Sequence, residues 1–268
     1  MTDTLTAAIQ PHSEYCRLDL LGVRVSDTNI PQAVATIDSW IKKRLKTYVC
    51  VAPVSTLVDC QKDGDYKTVV NRAGMVTPDG MPVVWLGKSK GSKIIARTYG
   101  PDLLTAVCQY GTDVGYRHFF YGSTPETLDR LEKKLSEKAP GLNVVGKISP
   151  DYKTRASVEG RDVIDRINQA KPDILWVGLG SPKQDFWMSL NRPSLDVPVI
   201  IGVGAAFDFL SGVKPQAPRW MQRSGLEWVF RLCSEPRRLW RRYLIGNSAF
   251  VYYVCLDCVK NCLKGNNR

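Results

Sequence analysis

Histidine is nearly absent from this chain: His12 and His118 are the only two among 268 residues. Cys255, Cys258 and Cys262 come closest to a metal pattern, but a zinc site normally wants a fourth cysteine or a histidine nearby. Their i, i+3, i+7 spacing describes one helix face alongside Val251, Val254 and Val259 and predicts buried thiols, with metal binding or acylation as alternatives. No basic and apolar leader opens the chain, and residues 1–13 are polar and read as a loose tail. The longest apolar stretch, 244–259, contains Asn247 and Asp257 and is shorter than the ~20 residues a bilayer span needs. There is no internal repeat and no Walker loop. The nearest approach to a dinucleotide fingerprint, Gly202-x-Gly204-x-x-Phe207, lacks the third small residue, so hydride and ATP chemistry are disfavoured.

What is present is ordinary globular material. Apolar residues make up 44% and charged residues 24%, which excludes a disordered chain or a collagen-like fibre. The length suits one large domain or two small ones, with a core that needs no disulfides. Reduced thiols in a chain of this size suggest the cytosol. Charge is unevenly spread. The last 55 residues hold eleven cations and three anions, a net of +8, leaving +3 for the first 213. A basic patch of this kind suits an anionic partner such as lipid, nucleic acid or a phosphorylated substrate.

Apolar runs alternate with helical patterns. Strands are predicted at 18–25, 48–54, 74–77, 116–121, 142–147, 173–178 and 197–203. Helices are predicted at 30–45, 56–60, 82–86, 101–110, 125–138, 158–170, after 182, and at 204–210. Ser123 and Glu126 read as a capping box around Pro125. The alternation predicts an α/β, Rossmann-like, mostly parallel sheet with helices on both faces. After Pro215 and Pro218 comes a basic helical tail, read as one helix over 220–233, a break at Pro236, and a further helix. The organisation expected is a flexible tail over 1–16, a catalytic body over 17–213 and a basic, aromatic appendage over 214–268.

Ligands of such sheets sit at the carboxyl ends of the strands. Three strand-to-helix turns have suitable small residues: Gly122-Ser123-Thr124, Gly178-Leu179-Gly180-Ser181 and Gly202-Val203-Gly204-Ala205. Their backbone N–H groups can face a diphosphate. Asp79, between Pro78 and Gly80, is placed on a tight turn above the sheet. There it is either a turn-capping residue or a general base toward a sugar hydroxyl. Asp63-Gly64-Asp65 has the form of a metal-bridging Asp-x-Asp, yet it lies between helical patterns beside Lys62 and Lys67 and reads as a solvent turn. That leaves no metal site, and a leaving diphosphate would need Arg, Lys and helix N-termini to neutralise it. In the tail, Arg219, Arg223, Arg231, Arg238 and Arg242 recur at helix-like intervals among Trp220, Trp228, Phe230, Trp240 and Tyr243. Arginine with tryptophan suits a membrane interface; the competing reading is a solvated helix whose aromatics pack on the body. No matching basic groove supports nucleic-acid binding.

Several blocks together resemble the WecG/TagA/CpsF bacterial glycosyltransferases (glycosyltransferase family 26). They are Thr77-Pro78-Asp79-Gly80-Met81, the stretch from Arg97 to Leu104, Phe120-Tyr121-Gly122-Ser123, the stretch from Gly178 to Gln184, and the stretch from Gly202 to Asp208. The tail adds Ala217-Pro218-Arg219-Trp220, Gly225-Leu226-Glu227-Trp228 and Glu235-Pro236-Arg237-Arg238. The resemblance implies an inverting, metal-independent transferase without a cofactor. It would move a sugar from a UDP-sugar to a sugar on a polyprenyl diphosphate, peripherally, at the inner face of the cytoplasmic membrane. It implies Asp79 as catalytic base, Arg97 near the donor phosphates and Gln184 on the donor side. Ser55, Thr56, Thr77, Gly80, Asp102, Gly122, Ser123, Gly180, Ser181, Lys183, Gly204 and Asp208 complete the expected substrate set. Arg219, Arg223, Arg231, Arg237, Arg238, Arg241 and Arg242 are expected to meet the membrane and the acceptor diphosphate. Many members carry a Thr-x-Asn pair where this chain reads Ala52-Pro53-Val54-Ser55-Thr56, and Lys-Arg-Ala-Pro where it reads Pro215-Gln216-Ala217-Pro218. The donor sugar therefore stays open among N-acetylmannosamine, glucose, glucuronate and N-acetylmannosaminuronate, and a homo-oligomer stays open too. A nucleotide-sugar modifying enzyme and a non-catalytic scaffold of polysaccharide assembly are the alternatives.

Overall fold

The structure is a computed structural model that describes residues 16–151 and 156–265, with side chains described as far as residue 260. The tail expected over 1–16 therefore lies outside the described residues except for Cys16, and so do His12, Arg268 and the side chains of Cys262 and Lys264. Six parallel strands form one sheet in the order β4-β3-β8-β7-β5-β6. They are β3 (Thr47–Ala52), β4 (Met75–Pro78), β5 (Arg117–Gly122), β6 (Asn143–Ile148), β7 (Ile174–Gly178) and β8 (Val199–Gly202). Side chains alternate between faces along each strand. Tyr48, Cys50, Leu175, Val177 and Ile200 enter one core cluster, and Val49, Ile174, Trp176, Val199 and Ile201 enter the other. Near-continuous apolar runs in the sequence follow from this burial on both faces.

Helices α1 (Ile30–Lys42), α5 (Gly100–Val114), α6 (Pro125–Lys138) and α9 (Ala206–Leu210) cover one face. Helices α2 (Val54–Lys62), α3 (Gly64–Arg72), α4 (Met81–Ser89), α7 (Arg161–Gln169) and α8 (Lys183–Asn191) cover the other. The run 18–25, expected as one strand, is a separate antiparallel hairpin of β1 (Arg17–Leu20) and β2 (Val23–Ser26). Leu21 and Gly22 both take positive φ, as a tight hairpin requires. The Asp19 carboxylate accepts the Gly22 N–H at 2.6 Å. Asp63 caps α3 by accepting the Tyr66 N–H at 2.9 Å, so it serves the backbone at the turn. The cap of α6 is also displaced by one residue. Thr124, not Ser123, accepts the Thr127 N–H, because Ser123 sits at φ 57, outside the extended backbone of an N-cap.

The tail is more broken than its periodicity predicts. It forms α10 (Arg219–Arg223), α11 (Glu227–Ser234), α12 (Pro236–Trp240), a π-helical turn at Arg241–Ile245, and the long α13 (Gly246–Gly265). Gly225 ends the first segment at φ 77, and a Cβ there would stand 2.7 Å from the Trp85 ring. Only glycine lets the chain turn so close to that indole. Phe250 is buried in the core cluster that also holds Leu57 and Val84, and Ala249, Tyr253 and Val254 pack against it. Cys255 and Cys258 are exposed, which corrects the expectation of buried thiols. The buried face of α13 runs through Phe250 and Tyr253 instead. Among the described residues no helix is long and apolar enough to cross a membrane.

Gly178 ends β7 in close packing: a Cβ would lie 2.4 Å from the Phe207 ring. Gly178→Ala should lower stability by about 1–3 kcal/mol through overpacking, read as an earlier urea midpoint at an unchanged slope.

Candidate active site

The carboxyl ends of β3, β4, β7 and β8 open into a cavity of about 960 Å³ whose far wall is the tail. Asp79 stands at its floor. Its N–H donates to the Ala52 carbonyl at 3.2 Å, continuing the β3–β4 ladder by one residue. Gly80, at φ 92, then turns the chain into α4. The Thr98 N–H donates to the Pro78 carbonyl at 2.8 Å. This draws the 95–99 segment alongside, so that Arg97 and Tyr99 also face the cavity.

Arg97 is the junction between body and tail. One guanidinium nitrogen donates to Gln222 Oε1 at 2.9 Å, the other donates to the Glu227 carboxylate, and the group lies 3.9 Å from the Tyr99 ring centroid. The half-buried Asp79 carboxyl is raised from 3.8 to about 6, chiefly by burial. Arg97 opposes the shift, Glu227 adds to it, and Arg231 and Arg242 oppose it. A carboxyl so placed is ionised at neutral pH yet keeps useful proton affinity.

On the β7 side, Gln184 is almost fully buried and braces its own turn. Its Oε1 accepts the Gly180 N–H at 3.1 Å, and its Nε2 donates to Ser181 Oγ at 3.1 Å. Beneath it the Tyr66 hydroxyl donates to Asp185 Oδ2 at 2.7 Å, and burial raises the Asp185 carboxyl to about 6. Arg242 reaches back from the tail and donates to Ser55 Oγ at 2.8 Å.

Of the expected substrate residues, Ser55, Asp79, Gly80, Arg97, Gly180, Ser181, Lys183, Gln184 and Gly204 line this cavity, with Arg231, Arg238 and Arg242 from the tail. Others do not. Thr56 is buried beneath the Tyr66 hydroxyl, 3.4 Å away, and Thr77 is fully buried within β4. Asp102 is held by Arg219 at 3.1 Å and Asp208 by Lys214 at 3.2 Å, so both carboxylates serve ion pairs outside the cavity. Gly122 packs on the Gly178 carbonyl, and the Ser123 carbonyl accepts from Ser149 at 2.6 Å. Arg219, Arg223, Arg237 and Arg241 also lie off the lining; Arg241 sits 5.2 Å from the Trp240 ring centroid. Sequence reasoning gave no place in the site to Tyr99, Gln222, Glu227, Trp228, Tyr243 and Asn247, all of which line the cavity. Tyr99 and Glu227 stood inside matched blocks without a role, and Trp228 and Tyr243 were read as aromatics of the membrane interface. Among the described residues no group of three or more His, Cys, Asp or Glu is brought together in a metal-holding arrangement.

Residues 18–263 match the model of the family described as "Glycosyl transferase WecG/TagA/CpsF family". The chain is 30% identical over 225 residues to a Bacillus subtilis protein, covering 81% of this chain and 85% of the relative. A Bacillus spizizenii protein is 28% identical over 219 residues, 81% and 83% of the two chains. A Staphylococcus aureus protein is 23% identical over 248 residues, 92% and 95% of the two chains. All three bear the name N-acetylglucosaminyldiphosphoundecaprenol N-acetyl-beta-D-mannosaminyltransferase.

The raised Asp79 carboxyl has a thermodynamic signature. Between pH 4 and 6 the folded state keeps a proton that the unfolded chain releases, so this group lowers stability as pH rises through that window. Asp79→Asn should therefore melt at a higher temperature than wild type at pH 8, and the difference should shrink at pH 4.

Proposed function

The chain belongs to the WecG/TagA/CpsF family of glycosyl transferases, and from that premise we propose that it moves a sugar from a UDP-sugar to a sugar on a polyprenyl diphosphate. The product would be an intermediate of a bacterial surface polysaccharide. The single observation that carries this reading is Asp79, a carboxylate of raised proton affinity facing Arg97, Arg231, Arg238 and Arg242 within one cavity. A base and an anion-neutralising wall are what a sugar transfer between a hydroxyl and a nucleoside diphosphate needs. The relatives' names point the same way and put N-acetylmannosamine first among the donors to try.

The reaction proceeds as one displacement. Asp79 takes the proton from an acceptor hydroxyl, and that oxygen bonds to the anomeric carbon. The bond from that carbon to the diphosphate oxygen breaks on the opposite face, and its electron pair leaves with UDP. The configuration inverts. Arginines of the tail hold the departing diphosphate; the Gly180 and Gly204 N–H groups are already donated, to Gln184 Oε1 and to the Val177 carbonyl. Body and tail act together, with the tail resting on anionic lipid at the inner face of the membrane, where the acceptor is presented. Its Trp220 and Trp240 side chains are exposed, as a headgroup contact requires.

Asp79→Asn should lose about 100-fold or more of transfer while UDP affinity, measured by calorimetry, holds. In wild type, kcat/KM should rise as pH passes through about 6, because the working form is the ionised carboxylate. A flat profile with undiminished turnover in the variant removes Asp79 from the role.

A further inference from the structure

One end of the cavity has a different character from the rest. Along α4, Met81, Trp85, Leu86 and Ser89 recur at i, i+4, i+5 and i+8 and line it; along α13, Asn247, Phe250, Val251 and Val254 do the same at i, i+3, i+4 and i+7. These are single helix faces. The two helices leave the catalytic end together. Gly80 opens α4 beside Asp79, and Arg242 and Tyr243, just before α13, lie close enough to the Asp79 carboxylate to feel its charge. They are joined again at the far end, where Lys90, next after α4, pairs with Asp257 of α13 at 2.6 Å. The lining stretches, Met81 to Ser89 and Asn247 to Val254, each run for about 10–12 Å at the helical rise. Arginine, tyrosine and asparagine stand at the inner end beside Met81, and indole, leucine, phenylalanine and valine further out, with Ser89 at the outer rim. The channel is open: Trp85 is 51% and Val251 60% exposed, although both belong to its lining.

A nucleotide or a sugar has no use for such walls, since each would leave hydroxyls unpaired there. A chain whose charged head stays among the arginines and whose remainder is hydrocarbon fits both ends. We propose that the groove between α4 and α13 holds the first isoprene units of the acceptor lipid, with its diphosphate at the Arg238 and Arg242 end. The assignment rests on the proposed lipid-linked acceptor and adds the path by which that lipid leaves the active site. It also gives a use to the Lys90–Asp257 pair, which fixes the spacing of the two walls, and to the exposed indole of Trp85, which is wedged at one edge against Gly225.

The test uses the full chain in buffer free of detergent and lipid, with two probes: inorganic diphosphate and a fifteen-carbon isoprenyl diphosphate below its aggregation limit. Calorimetry should show the isoprenyl compound binding at least tenfold more tightly. Val251→Asp and Trp85→Ala, both at exposed positions, should each remove most of that gain, while affinity for inorganic diphosphate and the melting temperature hold. Equal affinity for the two probes in wild type overturns the proposal, as does a gain that survives both substitutions. It also falls if the gain is absent and Val251→Asp instead weakens binding to phosphatidylglycerol vesicles, since the face is then a bilayer contact. The two readings fail separately. Binding that depends on the isoprenyl chain, without any sugar transfer to polyprenyl diphosphate acceptors, removes the transferase reading and supports the groove. Transfer with binding blind to the isoprenyl chain removes the groove alone.

Discussion

Only 12% of the Arg97 side chain meets solvent, and an unpaired charge at such a depth would cost several kcal/mol. The body offers it the Tyr99 ring. The compensating carboxylate and amide come from Glu227 and Gln222, in the tail. The docked tail therefore both covers Arg97 and supplies its partners, and the ion pair fixes where the following helices lie. It carries Arg231 and, farther on, Arg242 to the side of Asp79. It also brings Glu227 near that carboxyl, where a second negative charge helps to keep its proton affinity high. Burial of Phe250 in the body's core anchors the other end of the tail.

The tail's excess charge is thus divided among three tasks. Arg231, Arg238 and Arg242 face the cavity. Arg219 and Lys214 are used in ion pairs with Asp102 and Asp208 that hold the tail to the body. Arg223, Arg237 and Arg241 remain outside, near the exposed Trp220 and Trp240. A single cationic patch in the sequence becomes a two-sided element, with one side completing a site and the other turned outward.

Much of the architecture was legible because a buried parallel sheet leaves an unmistakable alternation of apolar runs and amphipathic helices. The hairpin was not, because Leu21 is apolar and hides a two-residue turn inside the strand-like alternation of 18–25; the following Gly22 was its one signal. Asp79 could be singled out from local chemistry, a carboxylate between proline and glycine at a strand end. Glu227 could not, because its role arises from a pairing across 130 residues. The same limit hid the ion pairs of Asp102 and Asp208. A carboxylate inside a matched block looks alike whether it meets a substrate or an arginine, and only the fold shows the ion pair. The buried thiol stripe failed for a related reason: periodicity shows that a helix has faces, but the packing of Phe250 and Tyr253 decides which face turns inward.

The central claim is that body and tail form one site around the diphosphate. Amide hydrogen exchange of the full chain with and without UDP tests it directly. The account predicts that UDP slows exchange in the segments around Asp79 and Gly180 and, in the same titration, across Gln222 to Asn247. Slowing confined to the strand ends, with the tail amides unchanged at saturating UDP, would contradict it.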